Sequence, residues 1–213
     1  MTAYDLSQPL DPDVPVYPGD PEVSLRPHAT HDADGYRVTA LELGSHSGTH
    51  VDAPAHTEPD GATLDSVPME TFTMSALKLD CREYGASEAI PPAVLPNDMD
   101  PDAVVVHTGW DAHWPNERYL DHPYLAPETA RRIVELDCHV GIDALNVDPT
   151  GSTDSDASTH GIPAHHAILG AGKLIVENLT NLGAVPTEFT LDVAPLPLPD
   201  ADAAPARVLG RVE

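Results

Sequence analysis

The chain has 213 residues, in which 35 Asp and Glu face 10 Lys and Arg, a formal net charge of −25. With 41% hydrophobic and 21% charged residues it is globular in composition, and its length suits one domain, residues 1–213, with a sizeable core. A surface this negative repels phosphate, so nucleic acid and anionic membrane are excluded as partners in the absence of a basic run: Lys78 and Lys173 are the only lysines, and only Arg131 and Arg132 adjoin.

The acid excess is spread along the chain, as in Asp11-Pro12-Asp13, Asp98-Met99-Asp100-Pro101-Asp102 and Asp154-Ser155-Asp156. Few lysines, many aspartates and few aromatics suit a protein kept soluble in concentrated salt, where charge repulsion is screened at short range. A halophilic source is therefore expected. No basic N-terminal region leads into an apolar run, and no stretch reaches the roughly 18 apolar residues of a membrane span, which predicts a cytoplasmic chain. Cys81 and Cys138 lack CxxC spacing and read as small core residues.

In chain order, strands are predicted at Tyr36 to Leu43, Met74 to Leu79, Ala103 to Thr108, His139 to Leu145, Leu174 to Glu177, Phe189 to Ala194 and Arg207 to Val212. Two helices are predicted. Ala126 to Leu136 carries Pro127 in the first turn, Glu128 near the positive end, and Ile133, Val134 and Leu136 for an apolar face; Pro163 to Leu169 is shorter. The 23 prolines concentrate at Pro9 to Pro27, Pro91 to Pro101 and Pro195 to Pro205 and exclude long helices there. With many strands, few helices, no βαβ rhythm and no nucleotide glycine fingerprint, the pattern predicts a single-domain α/β or α+β fold rather than a doubly wound nucleotide binder.

The chemistry concentrates in one segment, Ser45-His46-Ser47-Gly48-Thr49-His50-Val51-Asp52-Ala53-Pro54-Ala55-His56. The order HxxxHxDxxxH mixes imidazole with carboxylate, the donor set that borderline divalent ions such as zinc or manganese prefer. Gly48 and Pro54 argue against a helix, so the segment is expected to be a loop at the end of a sheet, following the strand that closes at Leu43. Two imidazoles and one carboxylate leave coordination positions open, as a catalytic ion needs, and an aspartate can bridge two ions. His56 reads either as a further ligand or as an acid/base histidine. Downstream lie His160, His165, His166 and Glu177. Adjacent histidines on a helix point about 100° apart, so only one of His165 and His166 faces a common site. Glu177 interrupts the apolar run Leu174-Ile175-Val176, where an inward carboxylate needs a partner or a metal.

The segment from His46 to His56 is similar to the HxGTHxDxPxH signature of the cyclase-like metal hydrolases, which include bacterial kynurenine formamidases, isatin hydrolases and related amide or lactone hydrolases. The resemblance begins with Tyr4-Asp5-Leu6-Ser7-Gln8-Pro9-Leu10 and Tyr17-Pro18-Gly19-Asp20-Pro21. It continues through Thr108-Gly109-Trp110, Gly141-Ile142-Asp143, His165-His166-Ala167 and Ile175-Val176-Glu177-Asn178-Leu179. It implies a swivelling β/β/α fold and metal ligands His46, His50, Asp52, His165 and Glu177, with Asp52 bridging two ions and His56 as catalytic acid/base. It further implies zinc, or alternatively manganese, two ions per chain, and a homodimer or higher homo-oligomer with the metal site close to the subunit interface. The implied activity is hydrolysis of carbon–nitrogen bonds, with an aromatic amide, N-formylkynurenine first, as the small-molecule substrate. A lactone or cyclic-amide hydrolase and a non-catalytic metal-binding protein are the alternatives.

Two departures bear on specificity. His107 stands where many relatives carry an arginine before Thr-Gly, removing any anion contact that arginine makes. Trp110 and Trp114 follow, and at least one of them is expected to line an aromatic or heterocyclic substrate pocket. A serine hydrolase fails on Gly44-Ser45-His46-Ser47-Gly48, whose central residue is His46 and not serine. A phosphate loop fails at Gly170-Ala171-Gly172-Lys173 for want of the longer glycine spacing and a following Ser or Thr.

Overall fold

The computed structural model describes residues 1–97, 100–151 and 161–212; His160 and the acidic residues Asp98, Asp154 and Asp156 lie outside them. Strands run at β1 (Thr2–Asp5), β2 (Ser24–Ala29), β3 (Val38–Glu42), β4 (His50–Asp52), β5 (Thr73–Asp80), β6 (Ala89–Ile90), β7 (Ala103–His107), β8 (Tyr124–Leu125), β9 (His139–Ile142), β10 (Ile175–Glu177), β11 (Glu188–Pro195) and β12 (Ala203–Val212). Helices are α1 (His31–Asp34), α2 (Pro127–Glu135) and α3 (Pro163–Gly170), so the chain is strand-rich with few helices, as expected.

One sheet dominates, in the order β1-β12-β11-β5-β7-β9-β10-β4, and a further pairing of β12 with β4 closes the strands from β12 to β4 into a ring. Strands β5, β7, β9 and β10 are parallel neighbours, while β4, β11 and β12 pair antiparallel. The expectation of no βαβ rhythm is corrected: β7–α2–β9 and β9–α3–β10 are two such crossovers. The predicted elements from Ala103 to Glu177 already alternate strand and helix; what the sequence did not show is that these strands pair in parallel as neighbours.

Side-chain alternation divides the sheet residues between two apolar clusters. Val51, Ala103, Val105, Val176, Leu191 and Val208 pack inside the ring. Val104, Val106, Val140, Ile142 and Ile175 face outward onto Ala130 and Ile133 of α2 and Ala164, Ile168 and Leu169 of α3. Both α2 and α3 start at a proline, whose missing N–H costs nothing in the first turn. Glycine is required where backbones touch: a Cβ on Gly61 would lie 2.5 Å from the Pro54 carbonyl carbon.

The predicted strand from Tyr36 to Leu43 is β3, but it pairs only with β2 in a separate two-stranded sheet. The segment read as a loop is therefore corrected in part: His50–Asp52 is a buried strand of the main sheet, lying between β10 and β12. The predicted strand at His139 to Leu145 stops at Ile142, because the buried Asp143 carboxylate turns to accept from Thr108 N, Thr108 Oγ1 and Gly109 N at 2.7, 2.6 and 2.8 Å. The last strand begins at Ala203, four residues earlier than predicted, and pairs through Pro205.

Candidate metal centre

Glu177 ends β10 and pairs in register with His50, and Asp52 follows His50 by two positions, on the same face of β4. Because Val51 and Val176 point into the ring, all three polar side chains point outward, toward α3. There His165 lies buried and His166 does not, its Nδ1 lying 2.9 Å from Oε1 of Glu58. The helical angle lets only one of the two face the centre, and the fold turns His165 toward it. The site sits at the carboxyl ends of parallel strands, where strand termini leave side chains uncovered by the sheet.

Asp52 is the hub, and it is fully buried. Its Oδ1 lies 2.9 Å from His46 Nδ1 and 3.3 Å from His50 Nε2; its Oδ2 lies 3.7 Å from His165 Nε2. Glu177 completes the set, with Oε1 3.5 Å from His165 Nε2 and Oε2 3.5 Å from His50 Nε2. Three groups have donor atoms within 4.8 Å of one another: His46, His50 and Asp52; Asp52, His165 and Glu177; and His46, His56 and Asp202, with Asp52 common to the first two.

Surrounding groups orient these donors. Nδ1 of His50 lies 2.8 Å from the carbonyl of Gly48, a residue at φ 66°, which leaves Nε2 for the centre. Asp148 accepts from Ala164 N and His165 N at 2.9 Å each, capping α3, and lies 2.8 Å from His165 Nδ1. Val147 N donates to Glu177 Oε1 at 3.1 Å. Asn178, left-handed at φ 57°, donates from Nδ2 to Gly48 O at 2.9 Å and accepts at Oδ1 from the Tyr119 hydroxyl at 3.0 Å.

The donor set fits a divalent cation. Both Asp52 oxygens and His50 Nε2 are buried without a hydrogen-bond partner, a cost that a bound ion removes. The electrostatics agree. Burial disfavours charge on His165, yet Asp148 and Asp52 more than offset it and raise the imidazole to about 10; burial likewise opposes His46, which Asp52 and Asp202 raise to about 9. Burial and the Asp52 charge push Glu177 up to about 7. Burial would raise Asp52, but the three imidazoles hold it well below the usual carboxylate range.

His56 lies apart from Asp52, with its ring 4.2 Å from His46 and 5.7 Å from His165, and burial lowers its pKa. It lines a cavity of about 460 Å³ together with Tyr17, Leu145, Asn146, Ile162 and the centre. The expectation that a tryptophan lines this pocket is corrected. Trp110 is buried in the outer apolar cluster, donating from Nε1 to Tyr119 O at 3.2 Å, and Trp114 packs edge-on against Tyr119. The aromatic wall is Tyr17, which lay in a recognised motif without an assigned role. His107 is buried on β7, 3.9 Å from Asp143, and does not line the cavity. Asp148 and Asp202 carried no local signal; they reach the site through α3 docking and the β4–β12 seam.

Comparison with known proteins is consistent with this geometry. A family model described as putative cyclase matches residues 4–149. The chain is 32% identical to a kynurenine formamidase of Salinibacter ruber, covering 99% of this chain and 98% of that protein. It is 33% identical to a kynurenine formamidase of Maricaulis maris, covering 98% and 97%. Among solved structures, isatin hydrolase A from Labrenzia aggregata, bound to benzyl benzoate, superposes with a TM-score of 0.85 at 25% identity, covering 98% of this chain and 93% of that one.

Proposed function

The chain belongs to the cyclase family, and from that premise we propose that it is a metal-dependent amide hydrolase of arylformamidase type, converting N-formylkynurenine to kynurenine and formate. The observation that carries the reading is the Asp52 carboxylate, buried without a hydrogen-bond partner between two groups of ligands. Full-length similarity to two kynurenine formamidases supports the substrate. We assign His46, His50, Asp52, His165 and Glu177 as ligands, with Asp52 bridging two ions per chain. Zinc is the first assignment and manganese the alternative, since imidazole and carboxylate serve both.

Ions held there would polarise the substrate carbonyl and lower the pKa of water. The chain supplies the rest. Tyr17, Leu145 and Ile162 offer an apolar wall for an aromatic ring beside the centre. His56, which we assign as acid/base rather than as a ligand, faces the same cavity and takes a proton from the attacking water. As the carbon–nitrogen bond breaks, the same imidazole returns that proton to the departing nitrogen, leaving the amine and formate. Such proton handling is worth roughly 10²–10⁴-fold in rate.

The similarity to isatin hydrolase A favours a second reading, hydrolysis of a cyclic amide or lactone, for which the same groups serve. We further propose a cytoplasmic, salt-adapted homodimer. No helix of the described residues is long and apolar enough to cross a membrane, and Tyr36, Val38 and Leu41 of the β2–β3 unit are exposed apolar side chains that a second copy would cover. The deciding experiment measures metal content on protein purified in high salt without chelator, for wild type and Asp52→Ala, followed by turnover of formamide, lactone and cyclic-amide substrates. About two ions per chain, both weakened by the substitution, are expected. A wild type that takes up neither zinc nor manganese refutes the mechanism.

A further inference from the structure

Asp202 immediately precedes β12 and is held by its backbone: Ala53 N donates to its carbonyl at 2.8 Å, and Ala203 pairs in register with Asp52. The seam that closes the ring therefore delivers a carboxylate beside the ligand segment. A single oxygen, Oδ2, lies 3.0 Å from Nε2 of His46 and 3.3 Å from Nδ1 of His56. A carboxylate only accepts, so it favours a proton on each facing nitrogen. Both nitrogens of His46 face carboxylates, Nδ1 lying 2.9 Å from Asp52 Oδ1, so once Nδ1 gives its lone pair to a metal ion the remaining hydrogen sits on Nε2, where Asp202 accepts it. His56 carries hydrogen on Nδ1 and presents the lone pair of Nε2. One acceptor thereby selects the metal-binding tautomer of one ring and the proton-accepting tautomer of the other.

We propose that Asp202 is the positioning residue that sets both tautomers, coupling the ligand His46 to the acid/base His56 through one shared oxygen. The consequence for catalysis rests on the hydrolase reading above; the tautomers themselves do not. A neutral amide oxygen at the same place would still accept from both rings, whereas a methyl group would not.

The test uses zinc-loaded protein labelled with ¹⁵N-histidine. Long-range ¹H–¹⁵N correlation spectra should show His46 protonated at Nε2 and His56 at Nδ1 in the wild type. In Asp202→Ala the His56 pattern should move to a mixture, zinc affinity measured against a competing chelator should fall about 10–100-fold, and kcat on N-formylkynurenine should fall on the order of 10²-fold with KM little changed. Asp202→Asn should keep the wild-type tautomers and recover kcat to within about tenfold of the wild type. The proposal is overturned by a wild-type His56 protonated at Nε2, by an unchanged histidine pattern in Asp202→Ala, or by loss of one whole zinc per chain with that pattern intact, which would make Asp202 a ligand. The two readings fail separately. Correct tautomers without turnover of any formamide sink the substrate assignment and support the positioning role; normal turnover with an Asp202→Ala protein indistinguishable from wild type does the reverse.

Discussion

Replacing Asp148 by asparagine tests how much of the centre is built from behind. The carboxylate accepts from two backbone N–H groups at the start of α3 and lies 2.8 Å from His165 Nδ1. An amide oxygen can take the place of Oδ2 and keep two of these partners, but its NH2 group then faces Ala164 N as donor against donor. A buried hydrogen bond to a charged acceptor is worth about 1.5–3 kcal/mol, and the two that remain weaken when the acceptor becomes neutral, so the expected loss is about 2–4 kcal/mol. For a chain of this length that lowers Tm by roughly 4–15 °C. Calorimetry in the presence of chelator isolates this folding term. Zinc competition then reads the second effect: with His165 less firmly oriented, affinity should drop about 10–100-fold. A variant that melts with the wild type and binds zinc equally well would refute the claim that Asp148 caps α3 and orients His165.

Acidification supplies a second check. Nδ1 of His122 lies 2.9 Å from the carbonyl of Pro123, its Nε2 lies 2.9 Å from Thr150 Oγ1, and burial lowers it to about 4. The unfolded chain protonates this imidazole near 6.5, so it binds the extra proton first; stability is full above that pH and is lost as pH falls from 6.5 to 4, by up to about 3 kcal/mol. Chelator-treated His122→Gln should show a shallower fall of Tm across that window, and an identical slope would count against it. Gly61→Ala drives a methyl group into the Pro54 backbone at the turn carrying His56, and should cost about 1–3 kcal/mol by denaturant unfolding. Tyr17→Ala should raise KM several-fold with little change in Tm, whereas Trp110→Leu should lower Tm by several degrees and leave KM alone; a KM effect from Trp110 would contradict its place in the core.

What was legible in the sequence was local. His46, His50, Asp52 and His56 fall within eleven residues, so their convergence needed no long-range contact, and the 100° step of a helix showed that only one of His165 and His166 could face a common site, leaving the choice to the fold. Glu177 declared itself as a carboxylate in an apolar run, because burying it without a partner is too costly to be accidental. The β5, β7 and β11 strands were long enough to show their pattern. The three-residue β4 was not, since it displays no period and its central valine faces the ring interior while its polar neighbours face α3; β10, equally short, was marked by its apolar run. The tertiary structure alone decided the rest. Asp148 reaches His165 across seventeen positions, Asp202 reaches His46 across 156, and the tryptophans turn into the core while Tyr17 lines the cavity. Such contacts follow from strand pairing and helix docking, which depend on the burial of the whole chain, so no window of sequence around either aspartate carries them.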